Sequence, residues 1–387
     1  MQFNVSRIRR LFPATKRTRY FFNGGICLCS TLVQKAVNDF IAQAGSGYNN
    51  RNWEKWMGDV SEAYRLFADL VGADAEEIVA IPNTSVGTSM VAYMINPKSG
   101  TNIVLDDLEY NTIYPFTIRA KSGVDMRIVR NRDGYVDTRE IESRVDDKTT
   151  AIVVSAVSCW NGYRYDLKEL SEIAHKNGAY LVVDGAQEAG ALRLNVRREG
   201  VDFLATCGHK WLLAPPGTGF LYVRKELIER FDPPMPGWMG TTEPWNFEVW
   251  QPEYPKTAQR FETGMQNLML LAAAKASLRF IHELGLDRIE QEILKRSGYL
   301  IEKLRDMGIK VYTPIEKEHR AGLVTFLLKN HEALYNELQK NSIVAFHHPD
   351  TVVKNMHWTM GGLRVDPTFF NTMEELDELL KFVRKHK

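Results

Sequence analysis

Between residues 101 and 223, short β-rich runs alternate with stretches of helical spacing, and few folds tolerate that alternation. The runs are Thr101–Leu105, Met126–Val129, Thr150–Ser155, Ala179–Asp184, Phe203–Cys207 and Gly219–Val223. Between two of them lies Asp166–Asn177, where Leu167, Leu170, Ile173 and Ala174 recur at helical spacing, with Gly178 at the expected C-cap position. Strands separated by crossover helices predict an α/β fold with a large, mainly parallel sheet covered on both faces.

The flanking sequence divides accordingly. Residues 31–267 are expected to form the large domain and 268–309 one long connecting helix. Residues 310–387 are expected to form a small α+β domain, with residues 1–30 an arm packing on it. Phe231–Pro255 holds six prolines and three tryptophans and reads as a long connection. A length of 387 residues, 44% of them hydrophobic, suffices for one large core and a second smaller one. Lys and Arg total 49 against 48 Asp and Glu, so nothing in the charge balance points to nucleic acid or an acidic membrane. No apolar run approaches the ~20 residues of a membrane span. The basic stretch Arg7–Arg19 lacks the apolar segment of a signal peptide and is expected to be a solvated arm. Four scattered cysteines, Cys27, Cys29, Cys159 and Cys207, fit a reduced, cytoplasmic protein, and no metal site is expected.

The richest segment runs from Leu181 to Val223. Leu-Val-Val-Asp reads as a buried strand ending in the carboxylate of Asp184, and strand ends at the carboxyl edge of an open α/β sheet are where ligands bind. A second strand ends just before Cys207-Gly208-His209-Lys210, where glycine is expected to let the backbone approach a ligand. Taken singly, Asp184 reads better as a strand-end turn residue and Lys210 as a surface lysine. The ordered pair, each after a strand, suits pyridoxal 5′-phosphate (PLP). A lysine amine forms an imine with the cofactor aldehyde, and a carboxylate keeps the pyridine nitrogen protonated so that the ring accepts electrons.

Asp184-Gly-Ala-Gln187 and Gly208-His209-Lys210 together resemble the fold-type I PLP enzymes known as class V aminotransferases. That group includes cysteine desulfurases, selenocysteine lyases and isopenicillin N epimerase-like proteins, and the resemblance covers nearly the whole chain. It implies the aspartate aminotransferase architecture, with Lys210 bonded to the cofactor, Asp184 on the pyridinium nitrogen, Gln187 on the phenolic oxygen and His209 reaching the phosphate. In Asn83-Thr84-Ser85-Val86-Gly87, a strand enters a helix through a polar turn, which suits an anion but equally an ordinary N-cap. The resemblance makes Thr84 and Ser85 phosphate contacts. It also places Tyr110, in Glu109-Tyr110-Asn111, over the cofactor ring, where the plain alternative is a surface tyrosine. That segment is closer to epimerase-like members than to desulfurases.

Toward the C-terminus, Arg364-Val-Asp-Pro-Thr-Phe-Phe-Asn371-Thr372 resembles the family segment whose arginine binds the substrate α-carboxylate. A guanidinium fork suits that role, and a structural ion pair is the alternative. Three departures stand out. Cys207 replaces a usual serine at the phosphate. Met265 replaces a threonine that reaches across a dimer interface, and Gln266 or backbone N–H groups are expected to substitute. Between Asn341 and Arg364 stand His347, His348, His357 and Trp358, but not the nucleophilic cysteine of desulfurases. His347 and His348 either act on substrate or simply border a loop. The expectation is a homodimeric PLP enzyme that abstracts the Cα proton of an amino acid, as an aminotransferase or epimerase-like protein. A C–S lyase without the loop cysteine is the alternative, followed by a catalytically silent PLP-binding protein.

Overall fold

The computed structural model describes residues 4–47, 49–247, 250–350 and 360–387. A two-residue strand, β1 (Arg19–Tyr20), precedes helices α1 (Thr31–Gly45) and α2 (Asn50–Val71). Then come β2 (Ile78–Ile81), α3 (Thr84–Ile95), β3 (Asn102–Asp106), β4 (Asp125–Val129) and β5 (Thr149–Ser155). Helix α4 (Leu167–Lys176) leads into β6 (Tyr180–Asp184), β7 (Phe203–Cys207) and β8 (Gly219–Val223). Strands β2 to β8 form one sheet, ordered β2-β8-β7-β6-β5-β3-β4, with β8 antiparallel to both neighbours and the other pairings parallel. All six expected strands are present, their ends within one residue of expectation.

Apart from the edge strand β4, these strands are largely apolar on both faces because both faces are covered. Val104, Ile152, Val154, Leu181 and Val183 pack into one core, and the alternate residues Ile103, Leu105, Val153 and Val182 into the other. Strands β2, β3, β5, β6 and β7 all point the same way, so the loops that follow them gather at one edge. That edge carries the site.

The single helix expected over 268–309 is instead two, α5 (Leu268–Leu284) and α6 (Leu286–Asp306). Gly285 parts them at φ 82° and ψ 121°, a conformation that glycine alone adopts readily. Apolar spacing continues on both sides of the break, so periodicity did not reveal it.

The remainder comprises β9 (Lys310–Val311), β10 (Val324–Leu327), α7 (His331–Lys340), β11 (Ile343–Val344), β12 (Phe346–His348), β13 (Gly362–Val365) and α8 (Met373–Lys385). An antiparallel sheet ordered β12-β13-β10-β9 packs with α8 around a core of its own. Thr372 and Glu375 cap α8 reciprocally.

The basic N-terminal stretch is not a solvated arm. Ile8 and Phe12 are fully buried, Phe12 stacks on Phe370 at 4.4 Å, and β1 pairs in parallel with β11. Arg9 donates to Glu375 at 2.8 Å and to the Phe370 carbonyl at 3.0 Å. Ile8, Leu11 and Phe12 form a helical stripe among the arginines, and burying that stripe outweighs keeping the charges in water.

Candidate active site

Asp184 ends β6, buried, with both carboxylate oxygens engaged. Oδ1 accepts from the Ala186 N–H at 2.8 Å and Oδ2 from the Thr112 hydroxyl at 2.5 Å. One turn on, the Gln187 amide is held at both ends, donating to the Gly24 carbonyl at 2.8 Å and accepting from the Trp211 indole at 2.9 Å. On the neighbouring strand end, Lys210 points its Nζ at the Tyr110 ring, 5.7 Å from the centroid. A Cβ at Gly208 would lie 2.3 Å from Thr218 Oγ1, so the loop packed behind it also requires the glycine.

The turn from β2 into α3 is capped by Asn83, whose side chain accepts from the Val86 N–H at 3.0 Å. Thr84 and Ser85 therefore occupy the first turn, where backbone N–H groups lack helical partners. Thr84 Oγ1 is buried beside the Cys207 thiol, yet without a hydrogen bond of ordinary geometry. His209 Nδ1 is likewise buried and without a partner. Burial, and then the nearby Lys210 charge, push the His209 pKa down. Burial pushes the Cys207 thiol up.

Tyr110 is held from behind. Both Glu109 carboxylate oxygens accept from Ser155, through its N–H and its hydroxyl, each at 2.7 Å. The Trp160 indole donates to the Glu109 carbonyl at 3.1 Å. Burial raises the Glu109 pKa well above the ordinary carboxylate range. Arg364 sits buried on β13. Its Nε and Nη2 bind the two oxygens of Asp366 at 2.8 and 3.0 Å, and Nη1 donates to the Cys159 carbonyl at 2.5 Å. Three of its five N–H groups are thus committed.

A cavity of about 510 Å³ collects Thr84, Ser85, Tyr110, Gln187, Cys207, His209, Lys210 and Arg364, and Asp184 bonds two of its lining residues, Thr112 and Ala186. Sequence reasoning missed Thr112, Cys159, Trp160, Phe346, Phe22 and Gly24–Ile26, all of which line it. Thr112 lies two residues from Tyr110, but nothing in its spacing marks it as a partner of Asp184. Within one chain Gln266 lines a separate cavity with Met265 and donates to the Tyr64 hydroxyl at 2.8 Å, whereas the expected contact belongs to a second copy. His347 and His348 do not line the 510 Å³ cavity. The His347 ring bonds His331 at 2.7 Å, and His348 is buried against Trp160 and Phe346. His357 and Trp358 fall outside the described residues.

These residues fit PLP. A buried carboxylate, a lysine facing an aromatic ring, and a helix start with orphaned donors meet at one sheet edge. A family model described as aminotransferase class-V matches residues 20–379, and the chain belongs to that family of PLP-dependent enzymes. Its relatives include an uncharacterized aminotransferase, YcbU, of Bacillus subtilis, 25% identical over 97% of this chain and 96% of that protein. A probable cysteine desulfurase of Pyrococcus abyssi is 27% identical over 97% and 98%. The apo structure of a cysteine desulfurase from Thermococcus onnurineus NA1 superposes with a TM-score of 0.90 at 27% identity, covering 100% of this chain and 98% of that one.

Proposed function

We propose that this enzyme moves the Cα proton of an amino acid with Lys210, in an amino-group transfer or an epimerisation. When bound, PLP supplies an aldehyde that links to amines and a ring that accepts the electron pair left on Cα. Lys210 holds the cofactor and then exchanges the proton at its Nζ. Asp184 sets the charge of the ring nitrogen, Gln187 contacts the phenolic oxygen, and Tyr110 covers the ring and excludes water. Thr84, Ser85, His209 and the region of Cys207 hold the phosphate. Arg364 offers its two remaining N–H groups to the substrate carboxylate.

The state of the thiols at the cavity favours this chemistry over desulfuration. Cys159 and Cys207 line it, and burial pushes both thiol pKa values up, Cys159 to about 12, which disfavours the thiolate at either. A persulfide-forming nucleophile must be a thiolate. Incubating the PLP-loaded enzyme with a panel of amino acids is expected to yield keto acid or D-amino acid, and no sulfide from L-cysteine. Sulfide release would establish the second reading, direct C–S cleavage, which the desulfurase name of the Pyrococcus relative favours. A silent binder would leave every amino acid unchanged. Lys210 and Arg364 in one cavity, with Asp184 bonded to two of its lining residues, speak against that.

Arg364→Lys keeps a charge for Asp366 but cannot donate the same planar array. Losing the charge-assisted contact to substrate is expected to cost about 1.5–3 kcal/mol, roughly one to two decades in kcat/KM, mainly through KM. PLP content should hardly change. Comparing an amino acid with its decarboxylated amine checks this. If the preference for the acid survives in the variant, Arg364 is a structural partner of Asp366 and nothing more.

The working unit is expected to be a homodimer in the cytoplasm. Trp238, Met235 and Met265 are each more than 40% exposed around Gly264–Asn267, an apolar surface suited to a second copy. All four cysteines are free, and no helix among the described residues is long and apolar enough to cross a membrane. Sedimentation at assay concentration checks the dimer, which a fully active monomer would rule out.

A further inference from the structure

We infer that the amino acid taken at this site carries a bulky apolar side chain, an aromatic one above all. The inference rests on the roles proposed for Lys210 and Arg364. Strands β12 and β13 pair antiparallel with Phe346 directly opposite Arg364, so the two side chains leave the same face of the small sheet. The guanidinium carbon lies 4.8 Å from the centroid of the Phe346 ring and 5.9 Å from that of Phe22. The two rings stack at 5.5 Å with 3° between their planes. Trp160, its centroid 6.2 Å from that of Tyr110, supplies further aromatic wall, and Ile26 adds an aliphatic edge. Phe22, Phe346 and Trp160 are only partly buried although each lines the cavity, so they keep surface available to a ligand.

The polar groups at the cavity disfavour a charged side chain. Among the described residues lining the cavity there is no Asp or Glu, so a cationic side chain finds no counter-ion. A side-chain carboxylate would compete with the substrate's own α-carboxylate for the two N–H groups that Arg364 has left. Either charge would lose its water without compensation. An aromatic side chain loses nothing polar, buries area against carbon and meets ring faces and edges.

The test is titration of the PLP-loaded enzyme with L-phenylalanine, L-leucine, L-alanine, L-aspartate and L-lysine, read by heat of binding and by absorbance of the bound cofactor. L-Phenylalanine is expected to bind about tenfold or more tighter than L-alanine, and the two charged amino acids no tighter than L-alanine. In Phe346→Ala, and separately in the gentler Phe22→Leu, the phenylalanine-to-alanine ratio is expected to fall to about threefold. The ratio is read within one preparation, so a partly unfolded sample does not alter it. Equal binding of L-alanine and L-phenylalanine, tightest binding of a charged amino acid, or an unaltered ratio in both variants would overturn the inference while leaving the roles of Lys210 and Arg364 intact. An enzyme that answers no amino acid by either readout removes those roles, and the inference falls with them.

Discussion

Lys210→Ala is expected to abolish covalent attachment of PLP and nearly all turnover. Two losses combine. The cofactor is no longer held by a bond, and no amine remains to carry the Cα proton, a step worth about 10²–10⁴-fold by itself. Lys210 is the one lysine among the described residues lining the cavity, so no neighbour takes over. The fold should survive, since among the described residues no ion pair or hydrogen bond holds the lysine side chain, and its Nζ faces the Tyr110 ring. Borohydride reduction of the wild type followed by peptide mapping gives the direct check. A label on any other lysine would displace the entire site assignment.

Asp184→Asn is expected to retain PLP and lose most catalysis, roughly 10²–10³-fold, the scale of removing one preorganised electrostatic partner. This substitution isolates charge. The asparagine carbonyl oxygen still accepts from the Ala186 N–H. Its NH₂ donates to Thr112, whose hydroxyl reverses its role from donor to acceptor. Geometry is therefore kept while the ring nitrogen loses the partner that holds it protonated. The check is kcat together with the absorbance spectrum and PLP content. A variant with wild-type rate and spectrum would reduce Asp184 to a strand-end residue.

Much of the molecule was legible in the order of residues. The inner strands of the large sheet are buried on both faces, so they read as continuous apolar runs, and the six strands bounded from the sequence ended within one residue of expectation. Asp184 and Lys210 stood out because one ends such a strand and the other comes three residues after the next. The break at Gly285 was hidden because helical spacing records which residues face the core and is blind to one residue of left-handed backbone. Arg9 and its neighbours misled because charge is counted locally, whereas the burial of Ile8 and Phe12 depends on Phe370, more than 350 positions away.

The sequence by itself determined the sheet, the family and the chemical kind of the cofactor site. These depend on local periodicity and on short blocks in which neighbouring residues act together. Only the tertiary structure decided which partners complete the site. Thr112 reaches Asp184, Asp366 grips Arg364, Cys159 and Trp160 turn inward, and Phe22 meets Phe346 across more than 300 residues. Those contacts join side chains from different strand ends and from both sheets. They exist because parallel strands deliver their following loops to one edge, and the register of β12 on β13 sets a phenylalanine opposite an arginine.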